Sequence, residues 1–91
     1  MIQISTIVEN ALNEIKAKDI NTINVENITT VTSNMIIATG TSATHVKAIA
    51  NSLVKCAKEN NVTLFGMEGE KQAEWILIDL GEVVAHIMQS A

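Results

Sequence analysis

One segment, residues 34–58, constrains the fold of this chain more than any other part of the sequence. It begins with the apolar run Met35–Ala38 and continues into the turn-forming residues Thr39–Ser42, which include Gly40. Apolar residues then recur at the spacing of a single helix face, at Val46, Ile49, Ala50, Leu53, Val54 and Ala57. The segment therefore predicts a buried strand, a tight glycine turn and an amphipathic helix whose N-cap is Thr41 or Ser42.

The rest of the sequence divides into one further helix and four further strands. A second apolar stripe predicts a first helix over residues 5–17, with Lys16 and Lys18 in its last turn, where cations suit the helix dipole. In addition to the strand over residues 34–39, alternating or short apolar runs predict strands over residues 20–25, 62–67, 75–80 and 83–88. Only Gly81-Glu82 separates the last two strands, which indicates a tight hairpin.

These elements predict one α/β domain with a mixed sheet, in the order α-β-β-α-β-β-β. Asn60-Asn61 is expected to end the second helix, because asparagine tolerates the left-handed cap conformation. The strands on either side of that helix, residues 34–39 and 62–67, are expected to form a right-handed βαβ unit with parallel strands. Both helices are expected mainly on one face of the sheet.

Two helices are too few to cover both faces of a five-stranded sheet, so one face is expected to be open. The strand period of two divides the fourth strand into Ile76, Ile78 and Leu80 on one side and Trp75, Leu77 and Asp79 on the other. If the first set meets the helices, Trp75 lies on a recognition surface. The alternative is that Trp75 packs under a loop or under the C-terminal residues, and the periodicity favours neither arrangement.

The charge distribution argues against a nucleic-acid reader. The net charge is −4, all six cations are lysines, and a nucleic-acid partner requires a basic face. Half of the ten acidic residues fall in one short segment that also contains the single tryptophan: Glu68, Glu70, Glu74, Asp79 and Glu82. An acidic rim around an aromatic anchor is typical of a docking site for a basic protein.

Few residues are candidates for catalysis or for binding a phosphate or metal ion. The Gly40 turn lacks a P-loop lysine and the three glycines of a dinucleotide site, so a capped helix start is the favoured interpretation. His45 and Cys56 share a helix face but stand roughly 16 Å apart along the axis. No metal or cofactor is expected, and nothing nearby orients a Cys–His nucleophile, although the sequence leaves that pair open.

The compartment follows from similar evidence. A single cysteine fits a reducing environment. No apolar stretch approaches the roughly twenty residues of a membrane span, and no secretory signal is visible. A cytoplasmic location is therefore expected, with no membrane partner.

Several motifs in a fixed order give the chain a family resemblance. They are Ile37–Ser42, His45–Lys47 with Ile49-Ala50, Gly66–Gly69, Trp75–Val84 and His86. In these the chain resembles the ribosome-silencing factor family, also called Iojap-like proteins, over nearly its whole length. The resemblance implies an α/β fold related to nucleotidyltransferases but without their catalytic carboxylates, since Asp79 belongs to no Asp-x-Asp or Asp-x-Glu motif.

The resemblance implies a non-enzymatic repressor of translation. Family members bind the large ribosomal subunit through ribosomal protein fourteen, a basic protein, and block the small subunit sterically when nutrients are short. The expected contact residues combine motif matching with the charge argument: Trp75, Leu77, Asp79, Glu82, Glu68 and Glu70. The turn at Gly40, Thr41 and Ser42 would then be at most a vestigial anion site, and direct nucleic-acid recognition is not expected.

Two other functions stay open at this point. A small nucleotide-binding or nucleotidyl-transferring enzyme would use the Gly40 turn and Asp79, although two-metal transfer needs at least a pair of carboxylates. An α/β homodimer would instead use the Trp75 face as its own interface. Family members usually continue past His86 with a further helix, so a single domain over residues 1–91 without it is expected to expose apolar surface and to favour self-association.

Overall fold

A computed structural model describes residues 3–69 and 74–90 of the chain. Along the chain the elements are α1 (Ile4–Glu14), β1 (Lys18–Asn24), β2 (Asn34–Gly40), α2 (Ala43–Glu59), β3 (Gly66–Glu68), β4 (Trp75–Asp79) and β5 (Val83–Gln89). The strands form one mixed sheet in the order β1-β2-β5-β4-β3. The mixed sheet and the placement of both helices against one face confirm the predicted fold class.

The centre of the sheet is β5, the last strand of the chain. It runs parallel to β2 over the full length of both strands and antiparallel to β4. The strands flanking α2 run in the same direction, as predicted, but they are not neighbours, because β3 lies at the far edge and pairs only with β4. The seven residues of β5 offer β2 a longer parallel partner than the three residues of β3.

The core lies between the sheet and the two helices. Alternate residues of the three inner strands are buried there: Ile36, Ala38, Ile76, Ile78, Val83, Ala85 and Ile87. The apolar stripe of α2 packs onto them, together with Val8, Ala11 and Leu12 of α1. Burial of Ile76, Ile78 and Leu80 confirms the predicted inward side of β4.

The first helix ends earlier than predicted. Lys16 adopts a left-handed backbone with φ of 61°. The N–H of Lys16 donates to the carbonyl of Asn13, and the N–H of Ala17 donates to that of Leu12, which is the Schellman pattern of a helix end. The prediction that Lys16 and Lys18 occupy the last helical turn is therefore wrong, and Lys18 instead begins β1.

The ends of the second helix confirm the expected signals. The Ser42 hydroxyl accepts from the His45 N–H at 3.1 Å, so Ser42 is the N-cap. Asn61 takes the left-handed conformation with φ of 58°, and the Val62 N–H donates back to the carbonyl of Ala57. Because Val62 completes this cap, the following strand begins at Gly66 and not at residue 62 as predicted.

The hairpin between β4 and β5 also confirms its signal. Gly81 has a φ of 81°, as the first position of a mirror-image turn requires, and the Leu80 N–H donates to the carbonyl of Val83. The ring of Phe65 leaves no room for a side chain at Gly81. The hairpin is therefore held rigidly at one end of the sheet.

Candidate functional site

Among the residues that the structure describes, no helix covers one face of the sheet, and we call this face the open face. The strand registers place its side chains in three rows that cross the sheet. The middle row runs Asn21, Ile37, His86, Leu77, Glu68. The rows on either side run Ile23, Met35, Val84, Asp79, Gly66, and Lys18, Thr39, Met88, Trp75.

The open face is apolar in its middle and charged at its edges. Its inner strands present isoleucine, methionine, valine, leucine and tryptophan side chains that are exposed or half-buried. Glu68 lies at the β3 edge and Lys18 at the β1 edge. An apolar surface of this extent with a polar rim is typical of a protein-binding site.

Trp75 is the largest side chain of the open face. It is 41% exposed, so the described residues leave much of the side chain open to solvent, while Gly69, in the loop after β3, packs against one side of the ring. Its ring meets His86 edge-on, with ring centroids 5.9 Å apart. Met88 lies directly opposite it on β5. Tryptophan in such a position is the residue type that most often anchors a protein partner.

Asp79 lies on the open face but is occupied within its own turn. One of its carboxylate oxygens accepts from the Gly81 N–H at 2.9 Å. Its backbone carbonyl accepts from the Phe65 N–H at 2.8 Å. The residue therefore orders the hairpin, and its remaining carboxylate oxygen faces the same side as Leu77.

The other predicted contact residues separate into two places. Glu68 lies directly opposite Leu77 and belongs to the open face. Glu82 lies at the hairpin turn, roughly 20 Å along the strand from the Trp75–Met88 pair. There it lines a different cleft of about 690 Å³, together with Phe65 and Val31. Glu70 lies outside the described residues.

The turn after β2 has the shape of an anion site but its groups are engaged. The Thr41 N–H donates to His45 Nδ1 at 2.9 Å, and the His45 N–H donates to Ser42 Oγ. A Cβ at Gly40 would come within 2.8 Å of Val46 Cγ2, so glycine is needed here for close packing of α2. Two amides that a phosphate would use are already satisfied within the protein.

His45 also joins the two helices. Its Nε2 donates to the carbonyl of Ile15 at 2.9 Å, while Nδ1 accepts from Thr41. The two bonds require the neutral imidazole with its proton on Nε2. His45 therefore secures the end of α1 against the start of α2, a structural role that sequence spacing does not reveal.

Cys56 is not set up as a nucleophile. Burial raises the pKa of its thiol, and the nearby carboxylates of Glu59 and Glu14 raise it further, while Lys55 opposes them. A raised pKa disfavours the thiolate, which is the reactive and metal-binding form. Within residues 3–69 and 74–90, no cluster of three or more His, Cys, Asp or Glu side chains is arranged to hold a metal ion.

The sequence matches the family described as "Ribosomal silencing factor during starvation" over residues 1–91. The chain belongs to the ribosomal silencing factor family. The relationship predicted from the motifs is thereby confirmed. The ribosomal silencing factor of Chromobacterium violaceum is 43% identical over 89 residues, which cover 98% of this chain and 73% of that protein. The one from Haemophilus influenzae is 42% identical over 78 residues, covering 86% and 76%.

Solved structures share the fold of this silencing factor. A crystal structure of a Chromobacterium violaceum protein superposes with a TM-score of 0.92 at 43% identity, over 94% of this chain and 72% of that one. A Bacillus halodurans structure superposes with a TM-score of 0.89 at 35% identity, over 93% and 79%. In the described part of this silencing factor, no helix is long and apolar enough to cross a membrane.

Sequence reasoning did not assign three residues around Trp75 to the candidate site of this silencing factor. His86 and Met88 share the period of two with Val84, and that signal would have placed them beside Trp75 once β5 was known to pair with β4. Gly69 lies against the indole ring, and no local sequence pattern predicts that contact.

Proposed function

We propose that this silencing factor lowers translation by binding the large ribosomal subunit and keeping the small subunit from joining it. The contact is ribosomal protein fourteen, and the open face is the surface that meets it. The protein acts by occupying space and makes or breaks no bond. The observation that carries this proposal is the exposed Trp75 at one end of an apolar sheet face that no helix within residues 3–69 and 74–90 covers.

The chemistry of the open face fits a basic partner with an apolar patch. Trp75, Leu77 and Met88 supply large apolar area, and burying such side chains drives association. Glu68 and the free oxygen of Asp79 lie on the side of the face nearest β3, where they would meet lysine or arginine. Glu82 is too far from Trp75 to share one compact contact, so we place it outside the core of the interface.

We further propose that the fold derives from that of nucleotidyltransferases while the chemistry is lost. Asp79 has no carboxylate partner in its motif, and its side chain caps the Gly81 amide. At the Gly40 turn, the Thr41 N–H donates to His45 Nδ1 and the His45 N–H donates to Ser42 Oγ. Neither place offers the paired carboxylates and free phosphate cradle that nucleotidyl transfer needs. A cytoplasmic location follows from the proposed ribosomal partner.

Co-sedimentation with purified large ribosomal subunits tests the proposal. The wild-type protein is expected to travel with large subunits, and Trp75→Ala is expected to stay near the top of the gradient. Phe65→Ala is the matched control, because Phe65 is a more exposed aromatic that lines the cleft at the hairpin end. Failure of the wild-type protein to sediment with large subunits, or equal loss in both variants, would contradict the proposal.

A second arm tests the named partner. Isolated ribosomal protein fourteen is expected to bind the wild-type protein in solution and to compete with large subunits for it. Binding to large subunits without any binding to isolated ribosomal protein fourteen would move the contact to another ribosomal component.

A further inference from the structure

We propose that His86 is a positioning residue that holds the Trp75 ring in the orientation required for docking. The proposal rests on the proposed function, since it concerns the anchor of that interface. His86 lies near the middle of β5, the central strand, and faces the open side of the sheet. Directly across from it are Ile37 on β2 and Leu77 on β4.

The contact between His86 and Trp75 has a defined geometry. The ring centroids are 5.9 Å apart and the ring planes are 88° from parallel. This edge-to-face arrangement is one that aromatic pairs favour, because the positive edge of one ring meets the negative face of the other. The imidazole thus restricts rotation of the indole side chain on one side.

Gly69 limits the indole from another direction. A Cβ built on Gly69 would come within 2.9 Å of Trp75 Cε3 and 3.1 Å of Cζ3. The bare backbone therefore lies directly against the benzo ring, and the φ of 88° at Gly69 favours glycine independently. Trp75 is exposed yet contacted from two elements, β5 and the end of β3.

This arrangement matters because an exposed tryptophan normally samples several rotamers. A partner that must immobilise such a side chain loses affinity, by roughly three- to tenfold for one rotamer-rich side chain. An anchor already fixed in the free protein avoids that loss. His86 would therefore raise docking affinity without itself needing to touch the partner.

Three substitutions separate positioning from other roles of His86. His86→Phe keeps a flat ring beside Trp75, His86→Gln keeps hydrogen-bonding capacity without a ring, and His86→Ala removes both. Val84→Ala is the matched control for the indole band only, because Val84 shares the strand and the face but lies roughly 13 Å from the Met88–Trp75 pair. Far-UV circular dichroism and the thermal midpoint identify any variant that misfolds.

The first readout is the near-ultraviolet circular dichroism of the indole, which Trp75 alone supplies. A fixed ring in an asymmetric environment gives a sharp band near 290 nm. We expect wild type, His86→Phe and Val84→Ala to keep that band, and His86→Ala and His86→Gln to lose most of it. An unchanged band in His86→Ala, in a folded protein, would overturn the proposal.

The second readout is affinity for purified large ribosomal subunits. We expect His86→Ala and His86→Gln to bind about fivefold more weakly than wild type, and His86→Phe to stay within about twofold. Wild-type affinity in His86→Gln with weak binding in His86→Phe would show a direct polar contact and overturn positioning. If the wild-type protein itself fails to bind, the proposed function is contradicted, and the indole band alone decides whether His86 fixes Trp75.

Discussion

The two faces of the sheet are built from alternating residues of the same strands, yet they serve different ends. On β4, Ile76 and Ile78 are almost completely buried under the helices, whereas Trp75, on the open face, is 41% exposed. The helix-covered face gains its stability within the chain. The open face leaves several apolar side chains exposed or half-buried, and covering them with a partner would be favourable.

The same contrast separates the Gly40 turn from the open face. The turn resembles a ligand site in sequence, but its polar groups bond to one another through His45 and Ser42. The open face resembles ordinary strands in sequence, but its apolar side chains lack cover among the described residues. Exposed apolar surface, and not a familiar motif, is therefore the basis on which we propose the functional region of this molecule.

The largest expected effect is on folding stability, when adjacent residues of β4 that face opposite sides of the sheet are truncated in turn. Ile78→Ala should lower the free energy of unfolding by about 3 kcal/mol, because it opens a cavity in the core. Leu77→Ala should lower it by about 1 kcal/mol, because Leu77 is only half-buried. Urea denaturation measures both, and equal losses would show that the open face contributes to folding as much as the covered face does.

The next effect concerns docking. Trp75→Ala should weaken binding to large ribosomal subunits by about 2 kcal/mol, roughly thirtyfold, if the tryptophan is a central anchor. Its free energy of unfolding should fall by about 1–2 kcal/mol, since the ring is partly covered by His86 and Gly69. Unaltered affinity in a folded Trp75→Ala protein would move the interface away from the open face.

The two histidines sharpen the contrast further. His45→Ala should destabilise the fold by about 1–2 kcal/mol, because the Thr41 N–H and the Ile15 carbonyl lose their partner. Its affinity for large subunits should remain that of wild type. His86→Ala should weaken affinity for large subunits and leave the free energy of unfolding nearly unchanged. A loss of affinity in a folded His45→Ala protein would instead indicate that the Gly40 turn takes part in binding.

The smallest effect comes from charge at the edge of the open face. Glu68→Gln should weaken docking by about two- to threefold, chiefly through slower association, and the difference should shrink as salt increases. Glu26→Gln is the matched control, since Glu26 is exposed beside the start of β2 at the hairpin end. Binding kinetics at two salt concentrations would contradict this if both variants behaved alike.

Sequence reasoning succeeded where the signal was local. The period of two placed Ile78 and Trp75 on opposite sides of β4, and cap chemistry narrowed the ends of α2 to Thr41 or Ser42 and to Asn60-Asn61. It failed where distant segments decide the outcome. The central place of β5 depends on pairing with β2, about fifty residues earlier in the chain.

The candidate site divides in the same way. Alternation placed Trp75 and Leu77 on the same side of β4, which is the open face in the structure, whereas Glu68 was named from its charge alone. The contact between Trp75 and His86 was missed, because it exists only once β4 and β5 are in register. Glu82 was grouped with Trp75 by proximity in sequence, although the hairpin places the two at opposite ends.

The most direct test is a subunit-joining assay followed by light scattering. Purified small and large ribosomal subunits are mixed after the large subunits have been incubated with wild-type protein, Trp75→Ala or Phe65→Ala at equal concentrations. We expect wild type and Phe65→Ala to reduce joining and Trp75→Ala to leave it near the protein-free level. Normal joining in the presence of wild-type protein, or equal inhibition by Trp75→Ala, would contradict docking through the open face.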